Sequence, residues 1–440
     1  MIFLIKAAQL ILSLSILVFL HELGHFIPAR LFKTRVEKFY LFFNPWFSIF
    51  KKKIGETEYG LGWLPLGGYV KIAGMIDESM DKEQLKKDPE PWEFRSKPAW
   101  QRLIIMIGGV VVNVILGFLI YSLVVFTWGE NQIRPQDLSD EGLGFHPVME
   151  KYGFQGGDKI LSVNGKPFEN INEITQYLLF RDVKTITVKR KNGESKTLPI
   201  PEDIGKEMFK EGVIRGSISP RMSNEISYIE EGFPADSSGI KVGDKILGMN
   251  GKKIEYFDQI LGKIKPGNNT FIIEHNQNID TINVIPNENL KIGISCKKFE
   301  YNIHLKEFTF TQSIKKGIGN CYWTLHDYAK QFSKYVFTKK GAKQVGGFAS
   351  IAKMFPTVWH WPSFWERTAL LSIILAFMNI LPIPALDGGH VMFLVYEMVT
   401  GRKPGEKFLE IAQYIGMGLL LSLMLYANFN DLLKWIMGNF

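Results

Sequence analysis

Four apolar runs constrain this chain more than any other feature of it. They cover about 4–26, 103–128, 364–383 and 411–429, and each is near the roughly 20 residues an α-helix needs to cross a bilayer. The runs lie toward the two ends of the 440 residues, and the middle is polar and mixed. That segregation explains a mean hydropathy near zero, which suits neither a soluble enzyme nor a bundle made only of spans. Lys6 ahead of the first run resembles the start of a signal peptide. No small-residue cleavage site comes after it, however, and the run contains His, Glu and His, so it reads as a retained transmembrane helix. The expected architecture is a polytopic α-helical membrane protein with four transmembrane helices and a large polar insert.

Charge sets the expected orientation. The net charge is +8, but the basic residues form no stripe with interleaved aromatics, so nucleic acid is not an expected partner. Arg30, Lys33, Arg35, Lys38, Lys51, Lys52 and Lys53 follow the first run, and Arg402, Lys403 and Lys407 precede the fourth. The positive-inside rule puts both loops in the cytoplasm and the middle region outside. Trp359, Trp361 and Trp365 fit an aromatic belt at the outer interface, the alternative being ordinary packing of a connector. Cys296 and Cys321 lack metal-type spacing and make no disulfide framework, so free, partly buried thiols are expected.

The predicted partition begins with a first span over 1–30. Residues 31–100 form a cytoplasmic-side loop, with a hairpin or small sheet over about 57–75 and a solvated loop over 77–100. The second span is 101–129. Two extracytoplasmic α+β domains cover 140–205 and 215–297, and a helical connector covers 298–362. The third span is 363–388, succeeded by a cytoplasmic loop over 389–410, the fourth span over 411–430 and a tail over 431–440. The paired domains rest on an internal repeat: GDKILSVNG at 157–165 recurs as GDKILGMNG at 243–251. Each copy reads as a turn, a short apolar strand and an Asn-Gly hairpin turn. A helix-like stretch and a further strand come after each, the strands falling at 185–189 and 270–274.

The chemistry concentrates at two breaks in the apolar pattern. His21-Glu22-Leu23-Gly24-His25 is an HExxH run at the end of the first span. On a helix, i and i+4 share a face, so both imidazoles can reach one metal, and Glu22 is placed to act as general base. Zinc suits imidazole nitrogen, and catalytic zinc takes three protein ligands. The bland alternative is polar residues marking a helix end, which the expense of ionisable groups in hydrocarbon disfavours. The third ligand is open at this point. His146, His275, His304, His326 and His360 fall in predicted extracytoplasmic regions and read as surface or structural residues. Asp387 sits where the third span breaks at two prolines and two glycines. Irregular backbone at that depth must line a cavity or be buried in protein. Asp387 could instead cap the following helix, and His390 is a ligand candidate by chemistry alone. Asn113, in the second span, reads as a helix–helix hydrogen-bonding residue or a site residue.

HExxH in one span and Asn379-x-x-Pro382-x-x-x-Leu386-Asp387-Gly388 in another together resemble the site-2 protease family of intramembrane zinc metalloproteases. Four spans with two domains between the second and third resemble its bacterial regulator-of-sigma-E branch, and the repeats resemble PDZ domains. The resemblance implies that His21, His25 and Asp387 bind zinc and that Glu22 is the catalytic base. It also implies that Asn379 holds substrate or the developing oxyanion. The stretch containing Gly67, Gly68, Tyr69 and Val70 matches the family's membrane-associated β-hairpin, whose strand edge binds unwound substrate. The implied substrates are single-span membrane proteins, including anti-sigma factors and remnant signal peptides. The implied location is a bacterial inner membrane, with the PDZ pair in the periplasm acting as a substrate filter. Either PDZ groove could take peptide or stand closed. Two positions depart from the family pattern: Val110 stands where Gly109 is usually followed by proline, and Phe348 follows Gly347 where proline is common. A non-proteolytic PDZ scaffold leaves Glu22 without a role. A metal transporter needs ligands along the other spans, which have almost none. A zincin acting on soluble proteins needs its HExxH helix outside the membrane.

Overall fold

The computed structural model describes residues 2–65, 67–75, 88–213 and 217–437. Leu66, residues 77–87 of the expected solvated loop over 77–100 and the last three residues of the tail lie outside them. The chain divides into two compact units, one of Met1–Gly129 with Glu307–Phe440 and one of Glu130–Lys306.

The first unit opens with α1 (Ile2–Leu31). Four strands come next: β1 (Val36–Leu41), β2 (Phe43–Ile54), β3 (Thr57–Leu64) and β4 (Tyr69–Ile72). Then comes α2 (Ala99–Trp128). The helices α1 and α2 meet through glycine. A Cβ on Gly24 would come within 2.5 Å of the Gly108 carbonyl, and one on Gly108 would collide with the Gly24 carbonyl. Small residues at such a crossing let two backbones approach closely, the usual means of packing helices in lipid. The strands form one sheet in the order β2-β3-β1-β4. Of the hairpin or small sheet expected over 57–75, the structure has the sheet and not the hairpin. Its strands β3 and β4 do not pair with each other, because β1 lies between them, parallel to β3 and antiparallel to β4. The strands over 36–54 were not expected, because their lysines were read only as marking a cytoplasmic-side loop. In the structure Val36 and Phe39 of β1 are buried with Val70 and Ile72 of β4 against Ala29, Ile105 and Met106.

The second unit contains β5 (Glu130–Gln132), β6 (Leu143–Phe145), β7 (Lys159–Val163), β8 (Lys166–Pro167), α3 (Ile174–Phe180), β9 (Thr185–Lys189), β10 (Ser195–Pro199) and β11 (Ile218–Pro220). It continues with β12 (Met222–Ile229), β13 (Lys245–Met249), β14 (Lys252–Lys253), β15 (Asn269–His275), β16 (Asn278–Val284), β17 (Ile294–Lys298) and β18 (His304–Lys306). Two apolar clusters, one around Ile160 and Ile186 and one around Ile246 and Phe271, give it two lobes. The sequence repeat is a structural repeat. Asn164 and Gly165 have φ of +51° and +75°, and Asn250 and Gly251 have +52° and +79°, the two positive values that a tight hairpin turn of this class requires. Asp158 Oδ2 accepts the Gln155 N–H at 2.9 Å, and Asp244 Oδ2 accepts the Lys241 N–H at 2.8 Å. Each aspartate also takes a basic partner from the next long strand region, Arg190 in one lobe and His275 in the other. The lobes differ beyond their hairpin turns: α3 forms after the first repeat, but only a 3-10 turn, Phe257–Gln259, after the second.

The remainder of the first unit carries α4 (Phe310–Gln331), α5 (Phe348–Lys353), α6 (Trp361–Ile380), α7 (Asp387–Thr400) and α8 (Glu406–Ile436). Among the described residues, α1, α2 and α8 are long and apolar enough to cross a membrane. The expected third span is shorter: α6 has 20 residues, includes Glu366 and Arg367, and stops at Ile380 before Pro382. The expected loop over 389–410 is instead α7 as far as Thr400. Gly401, at φ +70°, ends it in the left-handed conformation that closes helices. The expected tail from 431 continues α8 to Ile436. Cys296 is buried and Cys321 is half-buried.

Candidate metal centre and catalytic cavity

One helical turn separates His21 from His25, and the crossing with α2 decides where their rings can go. A Cβ on Gly109 would collide with His25 Nε2 and with the His21 ring, so only glycine lets α2 lie against the imidazole pair. One turn further along α2, Asn113 is fully buried and places its amide 3.2 Å from His21 Nδ1. The α6–α7 break brings Asp387 in from the other half of the unit. A tight fold makes this possible: a Cβ on Gly388 would strike the Ile380 and Leu381 carbonyls, and one on Gly389 would come within 2.6 Å of the Ile383 carbonyl.

These constraints converge on three atoms. His21 Nε2 and His25 Nε2 are 3.3 Å apart. Asp387 Oδ2 stands 3.3 Å from the first and 3.4 Å from the second. His25 Nδ1 lies 2.8 Å from the Ile105 carbonyl oxygen. A carbonyl only accepts, so Nδ1 carries the proton and the Nε2 lone pair faces the cluster. His21 is held in the same sense if Nδ1–H donates to the Asn113 side-chain oxygen. That oxygen otherwise has no partner, and turning the amide over satisfies it, its two ends being nearly isosteric. Asp387 Oδ2 is likewise buried and accepts no hydrogen bond. Three lone-pair atoms facing one another at such distances call for a cation. Zinc bonds of about 2.0–2.2 Å in tetrahedral geometry put ligand atoms roughly 3.3–3.6 Å apart, which the three observed separations match. His21, His25 and Asp387 form the metal-competent cluster found among the described residues. His390, the other candidate by chemistry, lines the same cavity but does not join the cluster.

The cavity has a volume of about 700 Å³ and is lined by Glu22, Asn379 and the stretch from Gly67 to Ile72, besides the three cluster residues. Asn379 Nδ2 lies 3.2 Å from His21 Nε2. Gly67 has a φ of +151°. A Cβ on Gly68 would meet Val18 Cγ1 at 2.8 Å and Glu22 Cγ at 3.3 Å, so the chain passes directly over the Glu22 side chain. The Val70 N–H lies against the Glu22 carboxyl. Tyr69 is fixed by stacking on Tyr40 and by donating its hydroxyl to Asn44 Oδ1 at 3.0 Å. β4 pairs with β1 and ends the sheet, so its other edge has no strand partner among the described residues. Every residue singled out from the sequence as a site candidate therefore lies in or on this one cavity. The sequence left Asn113 between two readings and passed over Gly109 and Gln413. The signal for Gln413 was an amide within an apolar run.

HExxH on one apolar helix, an aspartate delivered from a break between two others and an open sheet edge beside them define a membrane-embedded metallopeptidase. The chain belongs to peptidase family M50, whose family model matches residues 9–423. It is similar to the regulator of sigma E protease of Haemophilus influenzae, 28% identical over 99% of this chain and 100% of that one. It is also similar to proteins that carry zinc-metalloprotease names from Neisseria meningitidis (29% identical, 96% and 98% covered) and Campylobacter jejuni (27%, 97% and 93%). It is thus an intramembrane zinc metalloprotease of the site-2 type.

Proposed function

We propose that His21 Nε2, His25 Nε2 and Asp387 Oδ2 hold the zinc ion and that Glu22 is the general base for hydrolysis of peptide bonds in transmembrane segments. The observation that carries this reading is the triangle of three ligand atoms, including a buried carboxylate oxygen with no hydrogen bond. Zinc held there supplies Lewis acidity, which acidifies water and polarises a peptide carbonyl. The remaining work falls to the chain. Ile105 and Asn113 fix the imidazoles. The Glu22 carboxylate takes the proton of the attacking water and delivers it to the leaving nitrogen. Asn379 Nδ2 stands close enough to donate to the oxyanion as it develops. A transmembrane helix satisfies all its own peptide groups, so it must be extended before it can be cut. The open edge of β4, over Gly67–Val70, provides main-chain partners for the extended segment, and Gly68 lets that edge approach Glu22.

The finer architecture belongs to the same reading. α6 serves as a third span, giving four. The basic segments 30–53 and 402–407 lie in the cytoplasm, and the two lobes are PDZ-like and extracytoplasmic, which in a bacterial inner membrane is the periplasm. Among substrates, a membrane-anchored anti-sigma factor or a remnant signal peptide fits a site built for apolar segments. A scaffold role would leave the ligand triangle and Glu22 unused. The test is to co-express a doubly tagged single-span reporter and map the fragments by mass spectrometry. Cuts inside the span are expected. Cuts confined to the flanking soluble segments would contradict the proposal.

A further inference from the structure

We propose that Gln413 binds substrate, its Nε2 donating a hydrogen bond to a main-chain carbonyl of the extended segment in the cavity. The inference rests on the protease reading and adds a residue to it. Gln413 is on α8 and is 4% exposed, yet its side chain lines the catalytic cavity. The Ala385 N–H meets one end of its amide at 3.1 Å. A backbone N–H can only donate, so that end is the oxygen, and the amide is held the right way round by chemistry rather than by shape. The other end, the NH₂, has no hydrogen-bond partner among the described residues. With its oxygen engaged and its side chain lining the cavity, the NH₂ is available to a ligand that brings an acceptor.

The position is as rigid as the orientation. One turn along α8, a Cβ on Gly416 would collide with the Pro384 carbonyl, so the helix backbone lies directly against the loop that leads to Asp387. Ala385 itself sits at φ +76°, a conformation that a non-glycine residue holds only when its surroundings impose it. The chemistry of the cavity sets the ligand class. A transmembrane segment offers mostly apolar side chains, but once extended it offers a carbonyl at every residue. A fixed neutral amide donor recognises that carbonyl whatever the side chain, without placing a charge in the membrane.

The test uses the full-length protein in detergent with a purified single-span reporter. Gln413→Met removes the donor at similar volume, and Gln413→Leu is a second donor-less variant should the first fail to accumulate. The expected result is a KM raised about fivefold, the order set by one neutral hydrogen bond, with kcat within twofold. Both variants also lose the acceptor for the Ala385 N–H, so the thermal midpoint should fall slightly while zinc content matches wild type. A role confined to holding the Ala385 loop predicts instead that zinc content and kcat fall with KM unchanged, and that result would overturn the proposal, as would an unchanged KM alone. Glu22→Gln is run alongside. Cleavage by that variant at the wild-type rate would refute the protease reading itself, whereas an inert Glu22→Gln with unchanged KM in Gln413→Met refutes only the role of Gln413.

Discussion

Gly109 shows how much of the site depends on what is missing from a side chain. Gly109→Ala would drive a methyl group into both imidazoles. We expect it to lower zinc occupancy at least tenfold under limiting metal while leaving the protein folded, as judged by metal analysis and size-exclusion chromatography. At the proposed ligands, Asp387→Ala and His21→Ala should lose bound zinc, and His390→Ala should keep it, because His390 stands outside the three-atom cluster. Zinc kept by Asp387→Ala and lost by His390→Ala would move the third ligand from Asp387 to His390. Cys296 gives an independent check on the second unit. Burial pushes its thiol up to about 12, so it stays protonated and should resist maleimide at pH 7.5 until the protein is denatured. At this scale HExxH and Asp387 were legible, because ionisable groups in apolar runs are few and expensive. Gly109 and Gln413 were not, because a glycine required by a neighbouring ring and an amide aimed into a cavity look like any other small or polar residue in a helix.

The elements were read less evenly than the ligands. The apolar runs predicted α1 and α2 to within a few residues, since a bilayer imposes length as well as composition. The sheet was half missed. β2 exposes Trp46, Phe47, Ile49 and Phe50 and then three lysines, a pattern with no simple alternation for a strand to announce itself. The β4 edge yields a prediction of its own. Val70→Pro removes the N–H that lies against Glu22 and stiffens the edge, and we expect reporter cleavage to fall at least tenfold with zinc retained. The Gly347-Phe348 departure has a physical explanation in α8. Asp431 Oδ2 accepts the N–H groups of Gly347 and Ser350 at 2.9 Å each, and Asn428 Oδ1 accepts that of Phe348 at 3.3 Å. A proline at 348 would forfeit the last of these, so this chain uses side chains on α8 to seat α5, which contributes Phe348 and Ile351 to the cavity wall.

Across the whole molecule, the repeat was the clearest guide to the insert. It foretold two lobes, and its Asp and Asn residues make equivalent bonds in each. What the repeat could not disclose was how the lobes join, because that depends on residues outside it. Arg221 donates to both carboxylate oxygens of Asp258 and stacks 3.7 Å over the Tyr256 ring, while Glu141 of the first lobe takes Lys191 at 2.8 Å and also the Tyr256 hydroxyl. Arg221→Ala would strand a largely buried Asp258, at a penalty of about 3 kcal/mol. Hydrogen exchange should then report faster opening around residues 141–144 and 256–259, with the rest of the unit little changed.

The central claim is that a zinc site built from two separate helical segments cuts main chain inside the membrane with Glu22 as its base. It is tested most directly by incubating a purified single-span reporter with wild type and with Glu22→Gln, both loaded with zinc to the same stoichiometry. The account predicts cleavage within the span by wild type and a loss of at least a thousandfold in Glu22→Gln. Equal cleavage by the two zinc-loaded proteins would contradict it.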